Sequence, residues 1–333
     1  MNYKSIFNLI GILLGIFSLS FLPPMVLAFM YEESGIEVFL YSFIFFSILG
    51  WSIWATTRQQ NLPLNISDGF IITTLFWVVL ACAGSIPFYF FGLSINDAIF
   101  ESVSGITTTG ATTIVGLDSL PKSILLYRQL LQWIGGMGLI VLAVAVMPAL
   151  GIGGGQLYKM ELPGSHGNQR LTPKITDSAK ALWKIYVGLT FICATLYLLS
   201  GMTLFDSIAH SLSTVAGGGF STHDESIGFF DSSLIEAVCI IFMLLSAASF
   251  AVHYAAIFGG KPLKYFYDSE FRFFLFVVLL IIILSLIIHI VSNSYTDVFS
   301  AIGSSIFHTV SIVTTSGFTT ENFSLWPGFL PYL

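Results

Sequence analysis

Three stretches rich in threonine, serine and glycine recur along the chain, and their residues are the best candidates for a binding site. They align without a gap at 97–113, 206–222 and 304–320, offset by 109 and then 98 residues. Each copy begins with about ten residues of amphipathic pattern, which is too short for a helix that crosses a bilayer. Fixed-period similarity of this kind indicates one structural unit used three times.

A glycine stands at the same place in every copy, at Gly110, Gly219 and Gly317. Glycine reaches backbone angles that are closed to other residues, so successive carbonyls around it can face one side. Non-helical backbone at membrane depth is tolerated only where it is buried in protein or lines a watery cavity. Carbonyls in such a place can replace the hydration shell of a monovalent cation. The competing interpretation, small-residue helix packing, is disfavoured by three gap-free copies.

The rest of the chain has the composition of an integral membrane protein. Of 333 residues, 55% are hydrophobic and only 9% are charged, against about 25% charged in soluble domains. The net charge of −6 disfavours a nucleic-acid partner, and the three cysteines lie in apolar runs, which indicates free thiols. Seven runs are long enough to span a membrane, near residues 6–30, 36–55, 70–91, 123–150, 182–202, 234–258 and 271–290.

The basic residues predict the orientation of these spans. With the N-terminus in the cytoplasm, ten of the twelve lysines and arginines are cytoplasmic and only Lys122 and Arg128 lie outside, as the positive-inside rule requires. All three copies then enter from the outer face, although charge alone set the topology. The spans carry no paired aspartates, Ser–His set or histidine-rich cluster, so we do not expect an enzyme.

Several motifs are carried by the copies and the helices next to them. They are Ser-Gly-Ile-Thr-Thr-Thr-Gly-Ala-Thr at 104–112, Gln-Trp-Ile-Gly-Gly-Met-Gly at 132–138, Gln-Leu-Tyr-Lys-Met-Glu-Leu-Pro-Gly at 156–164, Gly-Gly-Phe-Ser-Thr-His-Asp at 218–224 and Thr-Thr-Ser-Gly-Phe-Thr-Thr at 314–320. Together they resemble the Trk/Ktr/HKT superfamily of potassium transporters, and most closely its bacterial TrkH/TrkG branch.

The resemblance implies an all-α polytopic membrane protein, with two N-terminal helices followed by helix–P-loop–helix repeats of the potassium-channel type. The expected boundaries are 1–60 for the N-terminal hairpin, 61–160 and 161–262 for two repeats, and 263–333 for an incomplete third. A fourth repeat is absent, so we expect the N-terminal part of a longer transporter. A homodimer and a cytoplasmic nucleotide-binding regulatory subunit (TrkA-like) are the implied protein partners. No bound cofactor is expected, and potassium is the transported ion.

The resemblance further implies that carbonyls of the three copies form three quarters of a selectivity filter, which is the only metal site expected. Gly217 stands where the other copies have Thr108 and Thr315, a difference predicted to loosen that quarter or alter its ion preference. The predicted filter residues are Thr107, Thr108, Thr109, Gly110, Ala216, Gly217, Gly218, Gly219, Thr314, Thr315, Ser316 and Gly317.

Acidic residues cluster on the predicted outer side, where one sign of charge would attract cations to a mouth. Alternatively they are ordinary solvated acids, or, for Asp97 and Asp206, N-caps of the short helices. His210 and His308 share one repeat position with Glu101 and are expected to be hydrogen-bonded structural residues rather than metal ligands. The predicted vestibule residues are Asp97, Glu101, Asp118, Asp206, Asp224 and Glu225.

The sequence therefore predicts potassium uptake across the bacterial inner membrane through a carbonyl-lined filter, as the translocating subunit of a Trk-type system. Two alternatives are a secondary transporter of another cation or small solute, for which broken helices and inverted repeats would be typical, and an inactive truncated chain. Potassium-over-sodium selectivity, the gating ligand and any co-transport of protons or sodium are left open.

Overall fold

A computed structural model of the chain describes residues 3–58, 66–146, 175–261, 263–295 and 297–332, and their regular structure is helical. This agrees with the predicted all-α membrane class. Within those ranges, five helices are long and apolar enough to cross a membrane: Tyr3–Met30, Ile36–Thr57, Ser67–Phe90, Lys180–Leu199 and Ser269–Val291. The predicted cytoplasmic motif at 156–164 lies outside the described residues.

The chain divides into two compact units, Met1–Lys184 and Ile185–Leu333. The first contains α1 (Tyr3–Phe17), α2 (Leu22–Met30), α3 (Ile36–Thr57), α4 (Ile66–Phe90), α5 (Ile95–Ile106) and α6 (Lys122–Val146). Helix α7 (Ile175–Leu199) begins in the first unit and ends in the second. The second unit continues with α8 (Leu204–Ala216), α9 (Ser233–Ala247), α10 (Phe250–Ile257), α11 (Lys264–Tyr267), α12 (Ser269–Val291) and α13 (Val298–Val313).

In the first unit, α1 and α3 pack with their backbones nearly touching. A Cβ atom added to Gly50 would lie 2.5 Å from the backbone nitrogen of Gly15 and 2.8 Å from the carbonyl oxygen of Gly11. Small residues allow this close approach, which is a usual way for membrane helices to associate. The pair supports a core in which the ring of Phe21 stacks on that of Tyr127 at 5.7 Å.

The predicted span at 234–258 is not one helix, and this part of the prediction was wrong. Helix α9 ends at Ala247 and α10 begins at Phe250, because Ala248 and Ser249 are extended, with ψ of 141° and 140°. A break of this kind removes amides that would have bonded the preceding carbonyls. The carbonyl of Leu245 accepts the amide of Ala248 at 3.1 Å, and Nε2 of His253 adds a second contact to it at 3.0 Å.

The same order of elements occurs three times. A long helix leads into a short one, and a non-helical segment follows: α4 and α5, α7 and α8, and α12 and α13 are the three helix pairs. The short helices have 12, 13 and 16 residues, which is less than a bilayer requires. None of the three is therefore long enough to cross a bilayer by itself.

Candidate ion-binding segments

The short helices begin with polar caps that fix where each one starts. Ser94 caps α5 by accepting a hydrogen bond from the amide of Asp97, and Thr203 caps α8 in the same way through Asp206. Each cap hydroxyl also donates to the carboxylate of that aspartate, at 2.7 and 2.6 Å. Asp97 and Asp206 thus lie at the third helical position and bind the cap residue, and the alternative that they are themselves the N-caps was wrong. In α13 the cap is Asp297.

After each short helix, the backbone adopts a positive φ at two places separated by one residue. These are Thr108 (56°) and Gly110 (77°), Gly217 (69°) and Gly219 (77°), and Thr315 (60°) and Gly317 (77°). In an extended chain alternate carbonyls point to opposite sides, and a left-handed residue at every second position brings them round to the same side. The same two left-handed positions recur in three copies that differ in sequence. The conformation is therefore a shared property of the repeated segment.

The first left-handed position is a threonine in two copies, Thr108 and Thr315, and a glycine in the other, Gly217. This difference has a physical consequence. A β-branched residue with positive φ is a genuine outlier, and such strain is typical of functional sites. Thr108 and Thr315 carry this strain, held by amide hydrogen bonds of 3.0 Å to the carbonyls of Gly105 and Ile312. Gly217 occupies the same conformation without it.

A serine at one repeat position clamps each segment to its short helix. The carbonyls of Ser104, Ser213 and Ser311 accept the amides of the residues five positions later, at 2.9, 3.0 and 2.9 Å. The hydroxyl of Ser104 donates to the carbonyl of Ala111 at 2.6 Å, and that of Ser311 to Phe318 at 2.7 Å. Sequence reasoning assigned these serines no role, although their recurrence in all three copies was the available signal.

In the first copy, a buried ion pair lies behind the segment. Arg128 Nε is 3.3 Å from Glu101 Oε2, and both side chains are fully buried. Glu101 Oε1 accepts hydrogen bonds from the hydroxyl of Thr112 at 2.5 Å and the amide of Thr113 at 2.7 Å. The sequence had suggested that Glu101 faces an outer mouth. The structure instead places its carboxylate in the interior, so this prediction was wrong. Arg128, for which the sequence predicted snorkelling or pairing with an outer acid, completes the group by donating to Thr112 at 3.0 Å.

In the second copy, a histidine takes the place of Glu101. His210 is fully buried; its Nδ1 lies 2.9 Å from the carbonyl oxygen of Asp206, and its Nε2 lies 2.9 Å from the hydroxyl of Ser221. Burial lowers the pKa of His210 to about 4, despite the opposing effect of Asp206.

The carboxylate of Asp206 is also turned inward, with only 6% of the residue exposed. It accepts a hydrogen bond from Thr222 at 2.8 Å and lies 3.5 Å from Nε2 of His223. Burial alone would raise the pKa of Asp206, but the hydrogen bonds from His223, Thr203 and Thr222 outweigh it and hold the pKa well below its usual range. The position of Asp206 is therefore that of a structural anion and not of a mouth-lining acid.

The third copy repeats the histidine arrangement and adds an acid that the sequence did not single out. His308 Nδ1 lies 3.1 Å from the carbonyl oxygen of Ser304, and its Nε2 accepts the amide of Thr320 at 3.3 Å. Glu321 accepts hydrogen bonds from the hydroxyls of Ser304 and Tyr295 and from Trp326. Burial raises the pKa of Glu321, but these donors outweigh it, so the net direction is downward.

Within the second unit, the second and third segments lie in direct contact. A Cβ atom added to Gly219 would lie 1.6 Å from the carbonyl oxygen of Ser316. Farther along, the amide of Gly228 donates to the carbonyl of Thr319 at 3.1 Å, and the amide of Thr319 donates to the hydroxyl of Ser226 at 3.2 Å. The two segments therefore support each other through backbone contacts.

The comparisons with known proteins decide the family. A family model described as "TrkH: Cation transport protein" matches residues 35–330. The chain belongs to this TrkH family. The TrkH family is one of transporters, in agreement with the expectation that the chain is not an enzyme.

Similar TrkH-family proteins cover the whole chain. The Trk system potassium uptake protein TrkH of Vibrio parahaemolyticus is 48% identical over 100% of this chain and 70% of its own length. TrkG of Escherichia coli K12 is 42% identical over 98% of this chain and 68% of its own length. The crystal structure of the Vibrio parahaemolyticus potassium transporter TrkH matches with a TM-score of 0.88 and 46% identity, covering 100% of this chain and 69% of that one.

The other predicted vestibule acids of this TrkH-family chain are more open. Asp118, Asp224 and Glu225 are exposed and Asp97 is half-buried, so the mouth hypothesis remains a prediction for these four. Among the residues that the structure describes, no three histidine, cysteine, aspartate or glutamate side chains come together as a metal site would require.

Proposed function

We propose that the chain is the translocating part of a Trk-type system and takes up potassium across the bacterial inner membrane. In this proposal the carbonyls of 107–110, 216–219 and 314–317 contribute to one selectivity filter. The observation that carries it is the pair of left-handed residues at the same two places of all three segments. The name of the similar proteins, Trk system potassium uptake protein, supplies the ion.

The physical argument concerns the cost of removing water from the ion. An ion leaving water loses a large solvation energy, so its replacement ligands must be numerous and already in place. Backbone carbonyls meet this need for potassium, since they are neutral, strongly dipolar and available at every residue. Because the segments are fixed by serine clamps and by buried side chains on their short helices, the carbonyls need little reordering when the ion arrives.

The wider assembly follows the same proposal. Two N-terminal helical elements, α1–α2 and α3, precede helix–P-loop–helix repeats of the potassium-channel type, with the N-terminus in the cytoplasm. Potassium moves inward down its electrochemical gradient past the exposed acids Asp118, Asp224 and Glu225. The translocating protein acts as a homodimer with a cytoplasmic nucleotide-binding regulatory subunit, and it binds no other cofactor.

The test is potassium-limited growth of a bacterial strain that lacks its own potassium uptake systems. The complete reading frame that encodes the chain is expressed with its regulatory subunit, and membrane expression is checked by immunoblotting. We expect growth at low potassium. If the protein is present in the membrane with its partner and growth is not restored, potassium is the wrong ion and the alternative of another cation or small solute takes its place.

A further inference from the structure

One position on the short helices carries a buried side chain that reaches the far side of the glycine in every copy. We infer that Glu101, His210 and His308 are positioning residues that set the ion preference by accepting a hydrogen bond from the chain eleven or twelve residues later. We call this place the brace position. The inference rests on the proposed function, because it assigns these side chains a role in the same filter.

The geometry of the brace position is the same although the residue type changes. Glu101 accepts from Thr112 and Thr113, eleven and twelve residues on, at 2.5 and 2.7 Å. The ring of His210 lies 2.9 Å from the hydroxyl of Ser221, eleven residues on. His308 accepts the amide of Thr320, twelve residues on, at 3.3 Å. All three brace side chains are at most 1% exposed.

The partners of the histidines assign their tautomer. An amide can only donate, so Nε2 of His308, which faces the amide of Thr320, carries a lone pair. The proton is then on Nδ1, which faces the carbonyl oxygen of Ser304. In His210 the Nδ1 atom likewise faces a carbonyl, that of Asp206, which leaves Nε2 to accept from Ser221. All three brace side chains therefore act as hydrogen-bond acceptors. Only the acceptor of the first copy, Glu101, is a carboxylate.

The first copy differs because its acceptor is ionised and needs a counter-charge. Arg128 provides it at 3.3 Å in a fully buried pair, since a lone buried charge would be strongly unfavourable. Arg128 also donates to Thr112, so both members of the pair hold the same arm. In the second and third copies the acceptor is a neutral ring, and no arginine of the described ranges is recorded in contact with either ring.

The brace matters for ion preference because each segment is then held at both ends. The serine carbonyls fix the helix side of each segment by accepting the amides five residues on. The hydroxyls of Ser104 and Ser311 hold the residue directly after the glycine, and the brace fixes the arm one to three residues farther along. Discrimination between potassium and sodium requires that the carbonyls do not close around the smaller ion or change their number. A segment released at one end gains that freedom without losing its glycine or its carbonyls.

The test compares variants at His308 that differ in where they can accept a hydrogen bond. His308→Gln can place an amide oxygen near the position of Nε2 and keeps an acceptor for Thr320. His308→Asn is polar but too short to reach it, and His308→Leu has no acceptor. Each is made in the complete reading frame, and rubidium uptake is measured with increasing competing potassium or sodium, alongside protein level in the membrane.

We expect the potassium-over-sodium preference to fall about tenfold in His308→Asn and His308→Leu, which is the equivalent of one lost hydrogen bond. His308→Gln should remain within about twofold of the parent protein by the same reasoning. If His308→Asn reaches the membrane, transports and keeps the parent preference, the inference is overturned. If the parent protein itself shows no potassium preference, the proposed function fails instead, so the two failures are distinguishable.

Discussion

At the scale of single residues, the segments depend on glycine for two separate reasons, and Gly219 combines them. Its φ is 77°, a conformation in which an added side chain costs about 1–2 kcal/mol. The place of its missing Cβ atom is also occupied by the carbonyl oxygen of Ser316, 1.6 Å away. Gly317 has the same φ of 77° but nothing within 4 Å.

Gly219→Ala should therefore be more destabilising than Gly317→Ala. Both pay the cost of the left-handed conformation, but only Gly219→Ala also displaces a backbone carbonyl, for which a further penalty of about 1–3 kcal/mol is expected from overpacking. The measurement is the apparent melting temperature of the purified protein in detergent. Equal decreases in the two variants would show that the second and third segments do not touch at this point.

The lowered pKa of His210 predicts how the stability of the folded protein depends on pH. Its pKa in the folded protein is about 4, whereas an unfolded histidine titrates near pH 6.5. Between these values the unfolded chain binds a proton that the folded protein does not, so stability falls as the pH is lowered from about 6.5 to 4. His210→Gln, which keeps a neutral polar side chain, should flatten that part of the profile.

The readout is the apparent melting temperature at several pH values between 7 and 4.5. This window lies above the usual pKa of an aspartate, so the loss of the Asp206 carboxylate contributes little to it. The parent protein should lose stability steadily on acidification and His210→Gln should lose less. An identical slope in both proteins would show that His210 is not the group that takes up the proton.

At the scale of elements, hydropathy located the long helices but did not detect the break between α9 and α10. Both halves of residues 233–257 are apolar, and the two extended residues between them are Ala248 and Ser249, neither of which is a helix breaker like proline. A side-chain contact, His253 with the carbonyl of Leu245, supports the break, and hydropathy averaged along the chain does not register it.

Removing the ring of His253 should loosen the break. In addition to Leu245, its Nδ1 lies 2.6 Å from the hydroxyl of Tyr265, so the ring joins the end of α9 to α11. We expect His253→Leu to lower the apparent melting temperature, corresponding to about 1–3 kcal/mol of stability, because both hydrogen bonds of the ring are lost. The carbonyl of Leu245 still accepts the amide of Ala248 at 3.1 Å. The matched control is Tyr265→Phe, which removes only the second hydrogen bond. A decrease in Tyr265→Phe as large as that in His253→Leu would contradict a role for the Leu245 contact.

The short helices and their segments were predictable because the same pattern occurs three times. The positions of Gly110, Gly219 and Gly317 indicated where a left-handed residue was required, and all three have it. The side chains behind the segments were not predictable in the same way. Glu101 is 27 residues from Arg128 and 11 from Thr112, and the chain must fold back after Gly110 before these groups meet. Without that fold-back, an acid near a predicted mouth was the simpler hypothesis.

At the scale of the whole molecule, the chain has two compact units, and each carries the same kind of segment built by the same local rules. The chain corresponds to about 70% of the length of the TrkH proteins that it resembles. Its family, its helical class and its segments all agree with transport of a cation. The feature that the three segments share is a non-helical stretch hydrogen-bonded to side chains of its own short helix.

The central claim is that these segments select potassium, and competition for rubidium uptake tests it most directly. Cells or vesicles that contain the protein from the complete reading frame, with its regulatory subunit, are given labelled rubidium and increasing potassium or sodium. The account predicts that potassium suppresses uptake at concentrations well below those at which sodium does. Equal suppression by both ions, or uptake that neither ion affects, would contradict it.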